Sequence, residues 1–157
     1  VPGDPDTIRA EAIAQNNEAW RLLEKPDRTP EEEAAMLEAA KTSLDLWRRV
    51  GTPVNEQRGV WMIARTCVDA GMAGPALEFA EKTLALTRQH HDQLQDFDLA
   101  FAQEIMARAL ALSGEHDRAM IHWEAARALG NAIAGDGDRK AFFAQFQGGP
   151  WFGFAQN

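Results

Sequence analysis

Residues 63–86 read IARTCVDAGMAGPALEFAEKTLAL, and residues 106–129 read MARALALSGEHDRAMIHWEAARAL. Set one above the other, Ala64 meets Ala107, Gly71 meets Gly114, Ala76 meets Ala119, Leu77 meets Met120 and Leu86 meets Leu129, every pair 43 residues apart. Phe79-Ala80 falls on His122-Trp123 in the same register. Self-similarity at such a period is the mark of a repeated supersecondary unit. The residue types say which one. A small residue on a first helix, Ala64 or Ala107, lets a second helix come close. Gly71 or Gly114 turns the chain between the two, and Ala76 or Ala119 sits where they cross. Phe79 or Trp123 then fills the space against the next pair.

Working outward, proline, glycine and cap residues divide the rest of the chain. Asp4-Pro5 is an N-cap followed by proline in the first turn, and it opens a helix that runs to about Glu24, before Lys25-Pro26. Thr29-Pro30-Glu31-Glu32-Glu33 reads as a capping box with acidic residues at the positive end of the dipole, and that helix stops at Gly51. Thr52-Pro53 opens a third helix ending at Gly71, and a fourth covers about Ala73 to His91. Asp96 is the expected cap of a fifth, which ends at Gly114. A sixth runs from about Glu115 to Ala134, and a seventh starts at Asp136 or Asp138 and closes at Gly148-Gly149. No stretch alternates with the period of a strand. The expectation is an all-α fold of three antiparallel helical hairpins, at about 5–50, 53–91 and 97–134, capped by a helix at about 137–147. An irregular aromatic tail follows at 148–157.

The first hairpin is a weaker copy of the other two. Ser43, Leu44 and Leu46 fall on Thr83, Leu84 and Leu86, but its turn, KPDRTP, is longer and has no glycine. The whole pattern resembles the tetratricopeptide repeat (TPR), over about residues 10–134. It departs from the consensus in three ways. The spacing exceeds the usual period of about 34 residues, Cys67 and Leu110 stand where a first-helix aromatic is usual, and no proline follows the second helix. The stretch DFDLAFAQEIMARALALSGEHDRA (96–119), followed by DRKAFF (138–143), is similar to TPR-like proteins of bacteria without an assigned activity. That likeness implies a fold and transfers no chemistry.

Composition bounds the function. The 157 residues carry 16 Lys plus Arg against 24 Asp plus Glu, a net charge of −8. Such a field repels phosphate backbones and argues against nucleic acid as partner. No apolar run reaches the length of a membrane span. The single cysteine, Cys67, permits no internal disulfide and lies on an apolar helical stripe, where it reads as a small buried hydrophobe. A cytoplasmic location is expected; because the chain starts at Val1 and not at Met, a secreted mature form stays open.

Candidate functional residues come from the concave face that stacked helix pairs present with their first helices. In this register the face carries Asn17, Trp20 and Arg21 on the first helix. Arg58, Trp61, Arg65 and Asp69 follow on the third, and Phe101, Glu104, Arg108 and Leu112 on the fifth. Each set keeps three- or four-residue spacing and so shares one side of its helix. Arginine forks beside aromatic rings suit an acidic peptide or a free carboxylate. The same spacing also lets Glu104 pair with Arg108, and Arg65 with Asp69, on a solvated face.

His90-His91-Asp92 is no metal site on this reading, because adjacent helical side chains point about 100° apart. No cofactor loop and no nucleophile–base pair is legible. The expectation is a non-enzymatic module that holds a protein or peptide partner in its groove. The alternative is an assembly subunit or oligomer that docks through Trp151, Phe152 and Phe154 of the tail; a third reading, a small-molecule-binding protein or enzyme, requires a deep closed pocket lined by Trp20, Trp61 and the arginines. The tail aromatics either fold back onto the last hairpin or reach a neighbour.

Overall fold

The computed structural model describes residues 3–154. Residues 1–2 and residues 155–157, the end of the expected tail, lie outside the described residues. The chain forms α1 (Pro5–Leu23), α2 (Pro30–Val50), α3 (Pro53–Asp69), α4 (Ala73–Gln89), a short 3-10 turn at His91–Gln93, α5 (Asp96–Leu112), α6 (His116–Asn131) and α7 (Asp136–Gln147). Among the described residues there is no strand.

The caps explain most of these boundaries. The Asp4 carboxylate accepts the Thr7 N–H at 3.2 Å, and Pro5 stands where no N–H is needed. At α2 the capping box is complete. The Glu32 N–H donates to Thr29 Oγ1 at 3.1 Å, and the Thr29 N–H donates to the Glu32 carboxylate at 3.0 Å. The Lys25 ammonium also pairs with Glu32; with the cap bond it holds that carboxyl at a pKa of about 2.

The fifth helix differs from expectation. Its N-cap is Gln95, and Asp98 takes the N3 position, accepting the Gln95 N–H at 3.0 Å. Asp96 lies one residue inside the helix, where its carboxylate instead accepts the Ala134 N–H at 3.0 Å. That bond ties the link between α6 and α7 to the start of α5, and α6 itself stops at Asn131, short of Ala134.

The 43-residue repeat is present in the hydrogen bonds themselves. The Met72 N–H reaches Cys67 O, and the Gly71 N–H reaches Val68 O. In the same register Glu115 reaches Leu110 O, and Gly114 reaches Ala111 O. Both are Schellman-type stops, with Gly71 at φ +72° and Gly114 at φ +79°. The caps repeat as well, since Thr52 and Asn55 match Gln95 and Asp98. The first pair lacks the glycine and closes differently. Arg28 donates to Leu22 O, Leu23 O and Lys25 O at the end of α1, and reaches across to Asp69 O at 3.3 Å. A guanidinium there does the work of the missing turn.

Each helix packs on the next in sequence, and the first helices of the pairs also touch, α1 with α3 and α3 with α5. With connections this short, neighbouring helices form hairpins. One continuous core joins Ala19, Leu22 and Met36 at one end to Phe142, Phe146 and Trp151 at the other. Cys67 is buried in it. At the last crossing a Cβ on Gly130 would overlap the Phe142 ring, so glycine is what lets α7 seat on α6.

After Gln147 the chain reverses. Gly149 takes φ +72°, Trp151 and Phe154 turn inward and are buried, and Phe152 remains 38% exposed on a turn at φ +55°. Of the two expectations for the tail, the described part folds back on its own chain.

Candidate functional site

The inner face of α1, α3 and α5 has two halves. The first is charged and closed. Arg108 and Glu104 on α5 are fully buried, and Arg65 on α3 is only 4% exposed. Arg108 Nε lies 3.1 Å from Glu104 Oε2, Arg65 Nη1 lies 3.9 Å from the same oxygen, and Arg65 Nε donates to Asp69 Oδ1 at 2.9 Å. The pairings expected from the i, i+4 spacing are therefore made, but under cover and not in solvent.

What covers them is residues 148–154. Arg108 Nη1 donates to Pro150 O at 3.0 Å, and Nη2 donates to Gln145 O at 2.7 Å and Gly148 O at 2.9 Å. Its Cζ sits 4.1 Å from the centre of the Trp151 ring, whose Nε1–H donates to Phe146 O at 2.9 Å. Burial pushes the Arg108 pKa down while Glu104 pulls it up. The carboxylate and three carbonyls are what make a guanidinium tolerable there. Arg65 and Arg108 were expected to grip a ligand from the groove. Instead Arg108 grips the chain's own irregular segment, which brings carbonyl oxygens and an aromatic face to it, while Arg65 is held by Asp69 beneath.

The second half is aromatic and open. Trp20, Trp61 and Phe101 do converge, together with Arg58, as the register requires. They line a cavity of about 240 Å³ with Asn16, Gln57, Met62, Phe97 and Asp98. Trp61 donates its indole N–H to Phe101 O at 3.1 Å, which fixes its ring. Arg58 is held by a bidentate pair with Asp98, Nε to Oδ1 at 2.9 Å and Nη2 to Oδ2 at 2.8 Å, and lies 5.2 Å from the Phe97 centroid.

Aromatic rings connect the two halves. Centroid steps run from Trp20 to Trp61 (6.0 Å), Phe101 (5.5 Å), Phe142 (4.9 Å), Phe146 (5.3 Å), Trp151 (5.7 Å) and Phe154 (6.2 Å).

Three assignments change. Asn17 is exposed and Asn16 lines the cavity, because the face of α1 follows the four-residue step back from Trp20 and a one-residue slip turns a side chain by about 100°. Arg21 points away and pairs with Glu18. Leu112 packs against the core.

Sequence reasoning missed Gln57 and Asp98. Asp98 was legible as a cap partner, since it stands where Asn55 stands in the preceding pair. Gln57 gives no sequence signal. It is 2% exposed, donates Nε2–H to Thr87 Oγ1 at 3.1 Å, and its Oε1 has no hydrogen-bond partner.

Compared with known proteins, the chain matches no family model, and no curated protein or solved structure is significantly similar to it. No described helix is long and apolar enough to cross a membrane.

Proposed function

We propose that this chain is a non-enzymatic interaction module, a TPR-like helical scaffold that holds a peptide or helix of a protein partner against α1, α3 and α5. One observation carries the reading. This face accommodates a segment in irregular conformation, residues 148–154, through main-chain carbonyls and an aromatic ring, and it continues beside that segment as an open aromatic cavity. The charged groups support a binding and not a catalytic role. Arg58 with Asp98, Arg65 with Asp69, and Arg108 with Glu104 are each committed to one another. The partner is thus held by shape and apolar contact, and the arginine grip on an acidic peptide falls away.

The alternative of an assembly subunit docking by its tail rests on Phe152, whose ring is exposed while its backbone occupies the left-handed region. With Trp151 and Phe154 turned inward, that surface offers one aromatic in place of three.

Selection from a displayed random-peptide library tests the main reading. The full chain is the target, and Asn16→Trp, which plugs the cavity from its rim, is the counter-target. Enriched peptides that bind the wild type and lose binding to the plugged variant are expected. No enrichment, or equal binding to both, refutes it.

A further inference from the structure

We propose that residues 148–154 are a displaceable internal ligand, a latch shut over the half of the groove around Arg108, and that a partner segment presenting free main-chain carbonyls beside a tryptophan takes its place. The inference rests on the peptide-holding reading above and says how that face is regulated and what chemistry opens it.

The moving piece has a defined boundary. Helix α7 stays behind when the latch lifts. Phe142 and Phe146 are buried in the core, and Arg108 Nη2 keeps its bond to Gln145 O. Beyond Gln147 the chain is held by the Arg108 bonds to Gly148 O and Pro150 O and by the buried rings of Trp151 and Phe154.

Those contacts are opposed. Phe152 sits at φ +55°, a conformation its β-carbon disfavours, and its ring is left 38% exposed, so full burial does not offset the strain. Shut, the segment also lies directly on two guanidiniums, since a Cβ on Gly149 would fall 2.7 Å from Arg65 Nη2 and 2.9 Å from Arg108 Nη1. Among the described residues, Arg65 Nη1 and Arg108 Nε make no directed hydrogen bond. Water that reaches them after the segment lifts offsets part of the bonding lost. Opposition of this kind lets a segment open while its scaffold stays folded.

The segment now in place shows what can replace it. Arg108 Nη1 and Nη2 take carbonyl oxygens, and Pro150 supplies one while bringing no N–H that would need an acceptor of its own. The guanidinium face takes an aromatic ring, 4.1 Å away in Trp151. That ring carries a donor, because Phe146 O accepts the Trp151 Nε1–H at 2.9 Å. Phe146 lies in the last turn of α7, where carbonyls have no acceptor role left within the helix. Together these demands describe a Pro-Trp segment.

The test uses the full chain and, as probe, the acetylated and amidated peptide GGPWFGF, the sequence of residues 148–154, with 5-fluorotryptophan as its fluorine NMR reporter. In the wild type the tethered copy competes at high effective concentration, so the probe is expected to bind Trp151→Ala about tenfold or more tightly than the wild type. Gly149→Ala, which crowds the tethered copy off both guanidiniums and leaves its seat intact, should raise probe affinity in the same way. A probe with alanine in place of tryptophan should bind none of the three. Equal binding of GGPWFGF to wild type and both variants overturns the inference, as does binding to none of them. Hydrogen exchange on the wild type reads the latch without any variant. The Trp151 indole N–H should be roughly a hundredfold less protected than the α5 amides of residues 105–109. Equal protection means the segment opens only with the whole fold and overturns the latch. The peptide selection fails separately. Cavity-dependent peptides that bind wild type and Trp151→Ala alike leave the peptide-holding reading standing and overturn the latch.

Discussion

Two glycines a few residues apart test whether the buried arginines hold the C-terminal segment. Gly149 and Gly153 have nearly the same backbone, φ +72° and φ +79°. Replacing either by alanine forces an L-residue into the left-handed region, at about 1–2 kcal/mol. The surroundings differ. A Cβ on Gly153 meets nothing within 4 Å, whereas one on Gly149 would lie 2.7 Å from Arg65 Nη2 and 2.9 Å from Arg108 Nη1. To relieve that overlap, the segment must lift or Arg108 must swing away from the carbonyls of Gln145, Gly148 and Pro150. Hydrogen bonds to charged groups contribute about 1.5–3 kcal/mol each, and here they also keep a buried cation satisfied. Gly153→Ala should therefore cost about 1–2 kcal/mol, and Gly149→Ala about 3–5 kcal/mol. Urea unfolding followed by far-UV circular dichroism measures both, with midpoints compared at constant slope. If the two variants agree within about 0.5 kcal/mol, the contact of residues 148–154 with the arginines contributes nothing, and the closed half of the site is misdescribed.

Three further outcomes follow from the same structure. Glu104→Gln removes the carboxylate that Arg108 and Arg65 share and leaves a buried guanidinium without its counter-charge, so urea unfolding should register a loss of about 3–5 kcal/mol. Burial raises the Cys67 thiol to a pKa of about 11 from an ordinary 9.0. The folded state therefore keeps its proton where the unfolded state loses it, and this group's contribution is complete below pH 9 and declines as pH rises from 9 to 11. Cys67→Ala should flatten that alkaline decline in thermal melts recorded against pH. Asp27 is exposed at φ +55° in the loop between α1 and α2; Asp27→Gly should raise stability by about 0.5–1 kcal/mol, read as an increased melting temperature.

The helices were legible because their ends are written in single residues. Pro5, Thr29-Pro30, Pro53, Gly71 and Gly114 each carry a backbone requirement that only one kind of local structure satisfies. The repeat register carried further, since it brought Trp20, Trp61 and Phe101 to one face before any packing was known. What it could not give was rotation finer than one residue, which is why Asn17 stood in for Asn16. Nor could it give solvent access. Arg65, Glu104 and Arg108 have the spacing of surface ion pairs, and nothing between residues 58 and 112 says that a segment 40 residues downstream lies on top of them. Gly148-Gly149-Pro150 announces a change of direction but not its destination. That depends on where Arg108 offers donors, a matter of three-dimensional proximity between distant parts of the chain. Gln57 was invisible for a related reason, because an unpartnered amide oxygen is defined by what its neighbours fail to supply.

The covering segment also makes the dryness of the cluster conditional. Arg65, Glu104 and Arg108 lie on helices that touch one another directly, whereas the Arg108 N–H groups find their carbonyl acceptors only at Gln145, Gly148 and Pro150. The helices and the segment that closes over them are thus separable pieces, joined through one guanidinium. A cation that would be a liability in a half-formed core instead serves as the receptor for the piece that completes it.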